Sequence, residues 1–446
     1  MNKYFVKYLF YPVHELLKRN TTLTELKKLD KTQYASVDEL RNIQFKKLKR
    51  ILSTANDANY YKKCWSKIGF QPEQVRKIED LRVLPLLNKD IIRKNYKDLI
   101  SSSFKGRVIN YQTGGSTGNP MQFIVDNKRV SQEWAANWRA RRWWGIDIGD
   151  RQAMLWGSPI EINTQSKIKD IRDRLLNYKL LSAFNMSEKR MYEYVNVLKI
   201  YNPDFLFGYS SSLYLLSQFI KKKGLDINSL EIKAIFTTAD TLLDYQRESI
   251  KEVFKCGVGI EYGSRDGGFI AHECPRGGLH LNSEGLIVEI IDKNGNPAKD
   301  GEIGEIVLTS LDAFAMPFIR YQTGDMAASI KRKCTCGVNL PLIDKLQGRI
   351  ADHIRDKDGK YIYSEAITYI IRSVVGIDQF QAIQKNIELI DLKIVKNKHF
   401  NQENEKIIKK KLNKLFDNKI RVKINFVNEI STTPSGKFRP VFSEFY

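Results

Sequence analysis

Cysteine is sparse in this chain: five among 446 residues, at 64, 256, 274, 334 and 336. An odd, thin set of this kind is no disulfide framework, so stability has to come from a packed core. Long apolar runs are missing too. None approaches the roughly 20 residues that a membrane-spanning helix needs. The first residues, "MNKYFVKYLFYPVHELLKRN", have a basic start and a short apolar patch, but Lys7 interrupts the patch and no small-residue cleavage site follows. The pattern is not that of a signal peptide, and a cytoplasmic protein is expected. Repeats and low-complexity linkers are lacking. Acidic residues are in deficit, 51 Asp and Glu against 73 Lys and Arg, which leaves a net charge of +22. Such an excess favours anionic partners: nucleotides, coenzymes, acidic carriers or an anionic membrane surface. The cations are spread along the chain, as in Lys221-Lys222-Lys223 and Lys409-Lys410-Lys411. They mark no single nucleic-acid groove, and no nucleic-acid partner is expected.

What is present argues for packed structure. The chain is 42% hydrophobic and carries 22 Phe, 21 Tyr and 6 Trp, enough to core two or more domains. Residues 1 to about 100 read mostly as helix; "VDELRNIQFKKLKRILSTAN" puts Leu40, Ile43, Leu48, Ile51 and Leu52 near one face. Beyond Val108, strand-like runs alternate with helical ones, at 187–200 and 242–255 for example. "KAIFTTAD" (233–240) and "GVGIEYGS" (257–264) each read as a buried strand ending in a polar loop, where α/β sheets usually bind ligands. After Gly278 the period becomes two, with a hairpin predicted around Asn294-Gly295. From Gly348 a helix, a strand, a helix over 402–416 and a strand predict a small α+β domain. The expected architecture is α/β: a large domain over 1–347 with mixed sheets and helices, and a small mobile α+β domain over 348–446.

The densest glycine cluster is "YQTGGSTGNPMQF" (111–123). Glycines clear side chains away and admit unusual φ angles, so backbone N–H groups and hydroxyls can face a phosphate. Alone, the stretch is also what an ordinary surface turn looks like. It lacks the Gly-Lys-Ser/Thr ending of the P-loop and any GxGxxG. Four further stretches follow it: "EYGSRDGG" (261–268), "YQTGD" (321–325), "GRIADHIRDKDGKYIYSEAI" (348–367) and "TTPSGKFRP" (432–440). In this order the five resemble the signature motifs of the adenylate-forming, or AMP-forming acyl ligase, superfamily. The Cys-Pro and Cys-x-Cys segments, the compact N-terminal half and the length resemble its phenylacetate–coenzyme A ligase-like branch, and more narrowly the members found in capsular polysaccharide gene sets.

The resemblance implies a two-step reaction. A small carboxylic acid attacks the α-phosphate of ATP, giving acyl-AMP and pyrophosphate; a thiol, with coenzyme A favoured, or an amine such as an amino sugar then displaces AMP. Charge neutralisation on the phosphates should dominate the first step. Thr113, Gly114, Gly115, Ser116, Thr117 and Gly118 are expected on the triphosphate. Tyr262 and Gly263 are expected beside the adenine, Asp325 and Arg349 on the ribose, and Lys437 between the carboxylate and the α-phosphate. A hinge near 348–354 would swing Lys437 away for the second step and bring the segment around Gly359 to the acceptor. Two positions depart from the superfamily pattern. Asp266 stands where Glu is usual as the Mg²⁺ ligand, and Met121 stands where many members have Lys after the loop proline. For the acyl group, Gly208, Tyr209, Phe236, Thr237, Thr238 and Ala239 are the candidates.

Three further readings rest on the residues themselves. Cys274, Cys334 and Cys336 with His280, or with His272 in its place, suit a structural tetrahedral Zn²⁺ site; separate thiols are the alternative. In "EWAANWRARRWW" (133–144), Trp134 and Trp138 share a helical face and read as ordinary core. The segment "YFVKYLFYPVHELLKR" would suit a weak peripheral membrane contact as an amphipathic helix, but Pro12 is expected to break it, and internal packing is expected instead. A nucleotide- or anionic-surface-binding protein without catalysis is the rival from another class, and it gives no reason for five ordered motifs.

Overall fold

The computed structural model describes residues 1–113, 121–156, 167–183, 186–344, 346, 354–357, 361–362, 364–430 and 439–444. Contacts divide the chain into two units: Met1–Thr323 with Ala327–Leu346, and Gly324–Met326 with Gln347–Tyr446.

The centre of the first unit is a sheet of eleven strands. One half is parallel, from β3 (Gln152–Trp156), β4 (Tyr178–Ser182), β5 (Phe205–Tyr209), β6 (Ala234–Thr238) and β7 (Gly257–Ser264), in the order β7-β6-β5-β3-β4. Side chains alternate across these strands. Leu206, Ile235 and Val258 face the helices Glu188–Tyr201, Ser210–Lys223 and Asp244–Phe254. Phe205, Ala234 and Phe236 face the other way, onto helices Thr22–Thr32 and Asn127–Arg142. The expected strands and helices fall where the periodicity put them, because a buried parallel strand and an amphipathic helix each declare themselves locally.

The other half is antiparallel: β8 (Gly268–Glu273), β9 (Leu279–Leu281), β10 (Leu286–Ile291), β11 (Ile303–Ser310), β12 (Tyr321–Ile330) and β13 (Leu342–Asp344). The pair β10–β11 is the predicted hairpin, but its turn is wider than two residues. Ladder pairing ends at Ile291↔Glu305, and Asn294-Gly295 lies inside a longer connection organised by the Asp292 carboxylate, which accepts from the N–H groups of Asn294 and Asn296. A separate two-stranded ribbon, β1 (Val108–Gln112) and β2 (Gln122–Asp126), carries the glycine-rich stretch between its strands.

Two expectations fail in the N-terminal half. Pro12 does not break the first helix. The chain passes from Lys3–Phe5 through a π-helical turn, Val6–Phe10, into Tyr11–Leu17. The N–H of Tyr11 bonds five residues back to the Val6 carbonyl, and Pro12 falls in the first turn of the next segment, where a missing donor costs least. Val6, Tyr11 and Glu15 are buried and Phe10 packs half-buried beside them, whereas Tyr4, Phe5, Tyr8, Leu9, Val13, Leu16 and Leu17 are exposed. Likewise Trp138 is buried as expected, whereas Trp134 is 45% exposed and is not core.

The second unit has its own core, with Ile367, Phe380, Leu392, Ile394, Ile408 and Leu412 at its centre. Its sheet runs β18 (Arg421–Phe426), β17 (Leu389–Lys396), β16 (Ile377–Asn386), β19 (Val441–Ser443), with helices Ser364–Arg372 and Gln402–Leu415. A short pair, β14 (Ile354–Arg355) and β15 (Tyr361–Ile362), completes it. The strands β14, β15, β16 and β19 are elements that the sequence reading did not anticipate.

Candidate functional site

The ends of β1 and β2 close on each other. The Thr113 N–H donates to the Met121 carbonyl at 2.9 Å, and the Met121 N–H donates to the Thr113 hydroxyl at 2.9 Å. The expected phosphate-binding residues Gly114, Gly115, Ser116, Thr117 and Gly118 lie outside the described residues. The side chain of Met121 has no exposed surface and packs in the core cluster with Phe123 and Tyr321. Where the resemblance leads one to expect lysine, the chain therefore has a packing residue.

Three motifs meet below this ribbon. Arg265, in "EYGSRDGG", donates from Nη1 to the Gln112 carbonyl at 3.2 Å, one residue before Thr113. The neighbouring Asp266 is buried, and its Oδ2 accepts a short hydrogen bond from the hydroxyl of Tyr321, the first residue of "YQTGD". Lys89 Nζ stands 3.5 Å from the same oxygen. Burial by itself pushes the Asp266 carboxyl up, but Lys89 and the Tyr321 hydroxyl more than offset it and hold it below its ordinary range. The segment is clamped from behind by Arg129, which donates from Nη2 to the Asp266 carbonyl at 2.7 Å. An ionised carboxylate set in a buried polar pocket is a fitting ligand for a hard divalent cation, directly or through water. Of this group the sequence reading found Asp266 but missed Lys89 and Tyr321. Lys89 looked like one of many solvated lysines, and Tyr321 like the invisible first letter of its motif.

Tyr262 and Gly263 sit at a bulge between β7 and β8. A side chain at Gly263 would meet the Gly268 carbonyl at 2.6 Å, so this crossing needs glycine. Asp325 lies partly buried on β12 after Gly324, whose φ is +77°. Arg349, Gly359 and Lys437 lie outside the described residues.

The acyl candidates separate by position. Tyr209, Thr238 and Ala239 end β5 and β6 at the carboxyl edge of the parallel strands, and Ala239 takes a positive φ of 70°. Gly208 abuts the Leu155 carbonyl, where a Cβ would come within 2.6 Å. Phe236, by contrast, is completely buried against Trp144, Phe205 and His272, and Thr237 is buried with its hydroxyl toward the Gly259 carbonyl. Both side chains are packed in the core of the first unit. Trp156, at the end of β3, was not singled out, yet its ring lies 4.5 Å from that of Tyr209 at the same edge. The Asp240 of "FTTAD" caps the helix Ser210–Lys223, its carboxylate accepting from the N–H groups of Ser210 and Ser211.

Beneath this edge lies a buried charge knot. Arg141 forks onto Glu261 at 2.7 and 3.2 Å, and Asn137 donates to the same carboxylate at 3.0 Å. Burial works against the Glu261 anion, but Arg141 and His272 outweigh it and pull its pKa down to about 2. His272 stands 3.4 Å from Glu261, in this knot and not among the cysteines.

The cysteines gather as a separate cluster. The ligand atoms of Cys274, His280, Cys334 and Cys336 all lie within 4.8 Å of one another. Cys274 Sγ is 3.5 Å from Cys334 Sγ, and Cys336 Sγ is 3.2 Å from His280 Nε2. Zinc–sulfur bonds of about 2.3 Å place tetrahedral sulfurs about 3.8 Å apart, so the spacing fits. His280 Nδ1 lies 3.1 Å from the Leu340 carbonyl; donating there leaves Nε2 bare toward the thiols, the arrangement a metal-binding imidazole needs. A Cβ at Gly278 would come within 2.7 Å of Cys334 Sγ, so glycine is required for the sulfur to approach. The cluster joins the β8–β9 turn to the β12–β13 loop.

Residues 354–444 match the CapK C-terminal domain family. The chain is 26% identical over 410 residues to Protein CapK of Staphylococcus aureus, covering 90% of this chain and 88% of that protein. It is 26% identical over 333 residues to phenylacetate–coenzyme A ligase of Pseudomonas putida, covering 73% and 74%. Among solved structures, 2-hydroxyisobutyryl-CoA ligase in its postadenylation state with an acyl-AMP superposes with a TM-score of 0.75 at 18% identity, over 93% of this chain and 91% of that one. Anthranilate CoA ligase with anthranoyl-AMP gives 0.54 at 15% identity, over 74% and 64%. No helix among the described residues is long and apolar enough to cross a membrane. The chain thus carries the fold of the adenylate-forming coenzyme A ligases, and Protein CapK and the phenylacetate–coenzyme A ligases are its relatives in sequence.

Proposed function

We propose that this protein is an AMP-forming acyl ligase that activates a small carboxylic acid with ATP and Mg²⁺, releases pyrophosphate, and passes the acyl group to a thiol, coenzyme A being favoured. The observation that carries the reading is the meeting of three motifs around one buried, ionised carboxylate: Arg265 against the base of the glycine-rich ribbon, and Tyr321 and Lys89 on Asp266. In that reading Asp266 holds Mg²⁺, while Lys89 supplies a fixed positive charge beside it. Magnesium neutralises phosphate charge when bound. Thr113 through Gly118 cradle the triphosphate, Tyr262 flanks the adenine, Asp325 and Arg349 hold the ribose, and Lys437 serves adenylation. Tyr209, Thr238 and Ala239 shape the acyl end of the pocket, with Trp156 beside them. Zn²⁺ on Cys274, His280, Cys334 and Cys336 acts only as a structural clamp.

One observation favours a second acceptor. The match of residues 354–444 is to the CapK C-terminal domain family, and the small unit is where the resemblance places the acceptor. An amine such as an amino sugar, in surface polysaccharide synthesis, is the alternative to coenzyme A. The test of both is pyrophosphate release with ATP, Mg²⁺ and a panel of small carboxylates, with and without coenzyme A. Release that depends on one carboxylate is expected. Turnover that requires coenzyme A selects the thiol, and turnover that requires an amine selects the alternative. Failure to bind ATP would overturn the whole reading.

A further inference from the structure

The first helix leaves one side of itself uncovered. Tyr4, Phe5, Tyr8, Leu9, Val13, Leu16 and Leu17 recur at intervals of three, four and one, the stripe of a single helical face. All seven are exposed, Leu16 and Leu17 by 75% and 77%. Soluble surfaces scatter apolar residues singly; a continuous stripe about 20 Å long marks a contact.

This face is held rigidly. On the opposite side Val6 and Tyr11 enter the core with Trp138 and Leu29, and Trp138 Nε1 donates to the Tyr11 hydroxyl at 3.0 Å. Lys7 pairs with Asp147 at 2.7 Å. Gly149 has no side chain to spare, since a Cβ there would strike the Lys3 carbonyl at 2.2 Å. Asn127 donates to the Lys18 and Arg19 carbonyls at the far end. The helix cannot roll to hide its apolar stripe.

The rim of the stripe is cationic. Lys3 and Lys7 sit over the rings of Tyr4 and Tyr8, at 5.4 and 5.3 Å, and each also pairs with a carboxylate, Asp150 at 3.9 Å and Asp147 at 2.7 Å. Lys18 and Arg19 follow the last leucine, and Arg107 reaches the Lys18 carbonyl. Burial first, then Arg172, push the Lys18 ammonium below its ordinary range, with Glu15 opposing them. The one carboxylate of the segment, Glu15, is buried and faces His14 and Asn20. An apolar stripe edged with lysine and arginine on a chain of net charge +22 complements a negatively charged lipid surface. Apolar side chains enter the acyl boundary there, and the cations stay with the headgroups.

We propose that this exposed N-terminal helical face docks the protein peripherally on anionic lipid bilayers. The test is flotation of the full-length protein with phosphatidylcholine vesicles, with and without phosphatidylglycerol. Cofractionation with the anionic vesicles is expected, weakening as salt is raised. The double variant Leu16→Glu, Leu17→Glu is expected to lower the bound fraction by about tenfold or more, while its melting temperature stays that of the parent. Phe5→Asp provides an independent variant should the double one fold poorly. Absence of flotation by the parent overturns the proposal, as does flotation that both variants retain. A concentration-dependent doubling of mass in solution, abolished by the same substitutions and without vesicle binding, assigns the stripe to a second copy of the chain and overturns it too.

Discussion

Asp266 shows how much one side chain depends on its neighbours. Its carboxyl sits in a buried place, where the anion is disfavoured, yet it is held below its ordinary value of 3.8 by Lys89 and Tyr321. Asp266→Asn keeps an acceptor for Tyr321 and removes the charge. Carboxylate-dependent pyrophosphate release is expected to fall by about a hundredfold or more, with the fold intact by circular dichroism. Lys89→Met removes the largest favourable interaction of that anion. The sign follows directly: a carboxyl depressed by a cation rises when the cation leaves, so the acidic limb of the pH–rate profile is expected to move to higher pH. Met121 gives the complementary case. Restoring the usual superfamily lysine, Met121→Lys, would place an ammonium in the core beside Phe123 and Tyr321. The expected result is a loss of about 3 kcal/mol in chemical denaturation and no gain in activity.

Between elements, the cysteine cluster is the most specific junction. It ties the β8–β9 turn to the β12–β13 loop, which is short of ladder contacts: β13 pairs with β9 only through Leu342↔His280 and Ile343↔Leu279. A closed tetrahedral site contributes folding free energy where backbone pairing is thin. Protein prepared without chelator is expected to contain close to one zinc per chain by elemental analysis. Cys334→Ser is expected to lose the metal and lower the melting temperature, with hydrogen exchange increasing in both joined segments. A cavity of about 560 Å³ borders Cys336, so an added chelator should reach the ion and reproduce the variant. Stoichiometric zinc absent from the parent would remove the site.

For the whole molecule, the proposed function assigns Lys437 to the first of two half-reactions. Lys437→Ala is expected to abolish acyl-adenylate formation while largely sparing consumption of a supplied acyl-adenylate in the presence of the acceptor. Separate assays of the two half-reactions, by pyrophosphate release and by AMP release, decide it. Loss of both would sink the assignment of Lys437 to the first step alone.

Much of this was legible in the residues, for reasons that can be stated locally. A parallel strand such as Ala234–Thr238 is a short run of apolar and β-branched residues, and a helix such as Val37–Asn56 begins at Ser36 with a full capping box and shows its stripe. Five ordered motifs carried the resemblance to the adenylate-forming superfamily. Other features do not show in a one-dimensional pattern. The helix Asn127–Arg142 reads as polar, yet it is buried because Arg129, Arg139 and Arg141 find Glu133, Glu284 and Glu261; two of these three partners are more than a hundred residues away. The strand Ile377–Asn386 is hidden by its glutamines, of which the sheet of the second unit buries Gln381 and Gln384. Sequence alone determined the class of fold, the likeness to acyl ligases and which cysteines and histidines were worth comparing, because these rest on local period and motif order. Tertiary structure decided that His280 and not His272 joins the thiols, that Phe236 is core, that Lys89 and Tyr321 flank Asp266, and that the first helix keeps an apolar face outward. The first three are contacts between residues far apart in the chain, which only the folded backbone brings together, and the last depends on which face of the helix that backbone covers.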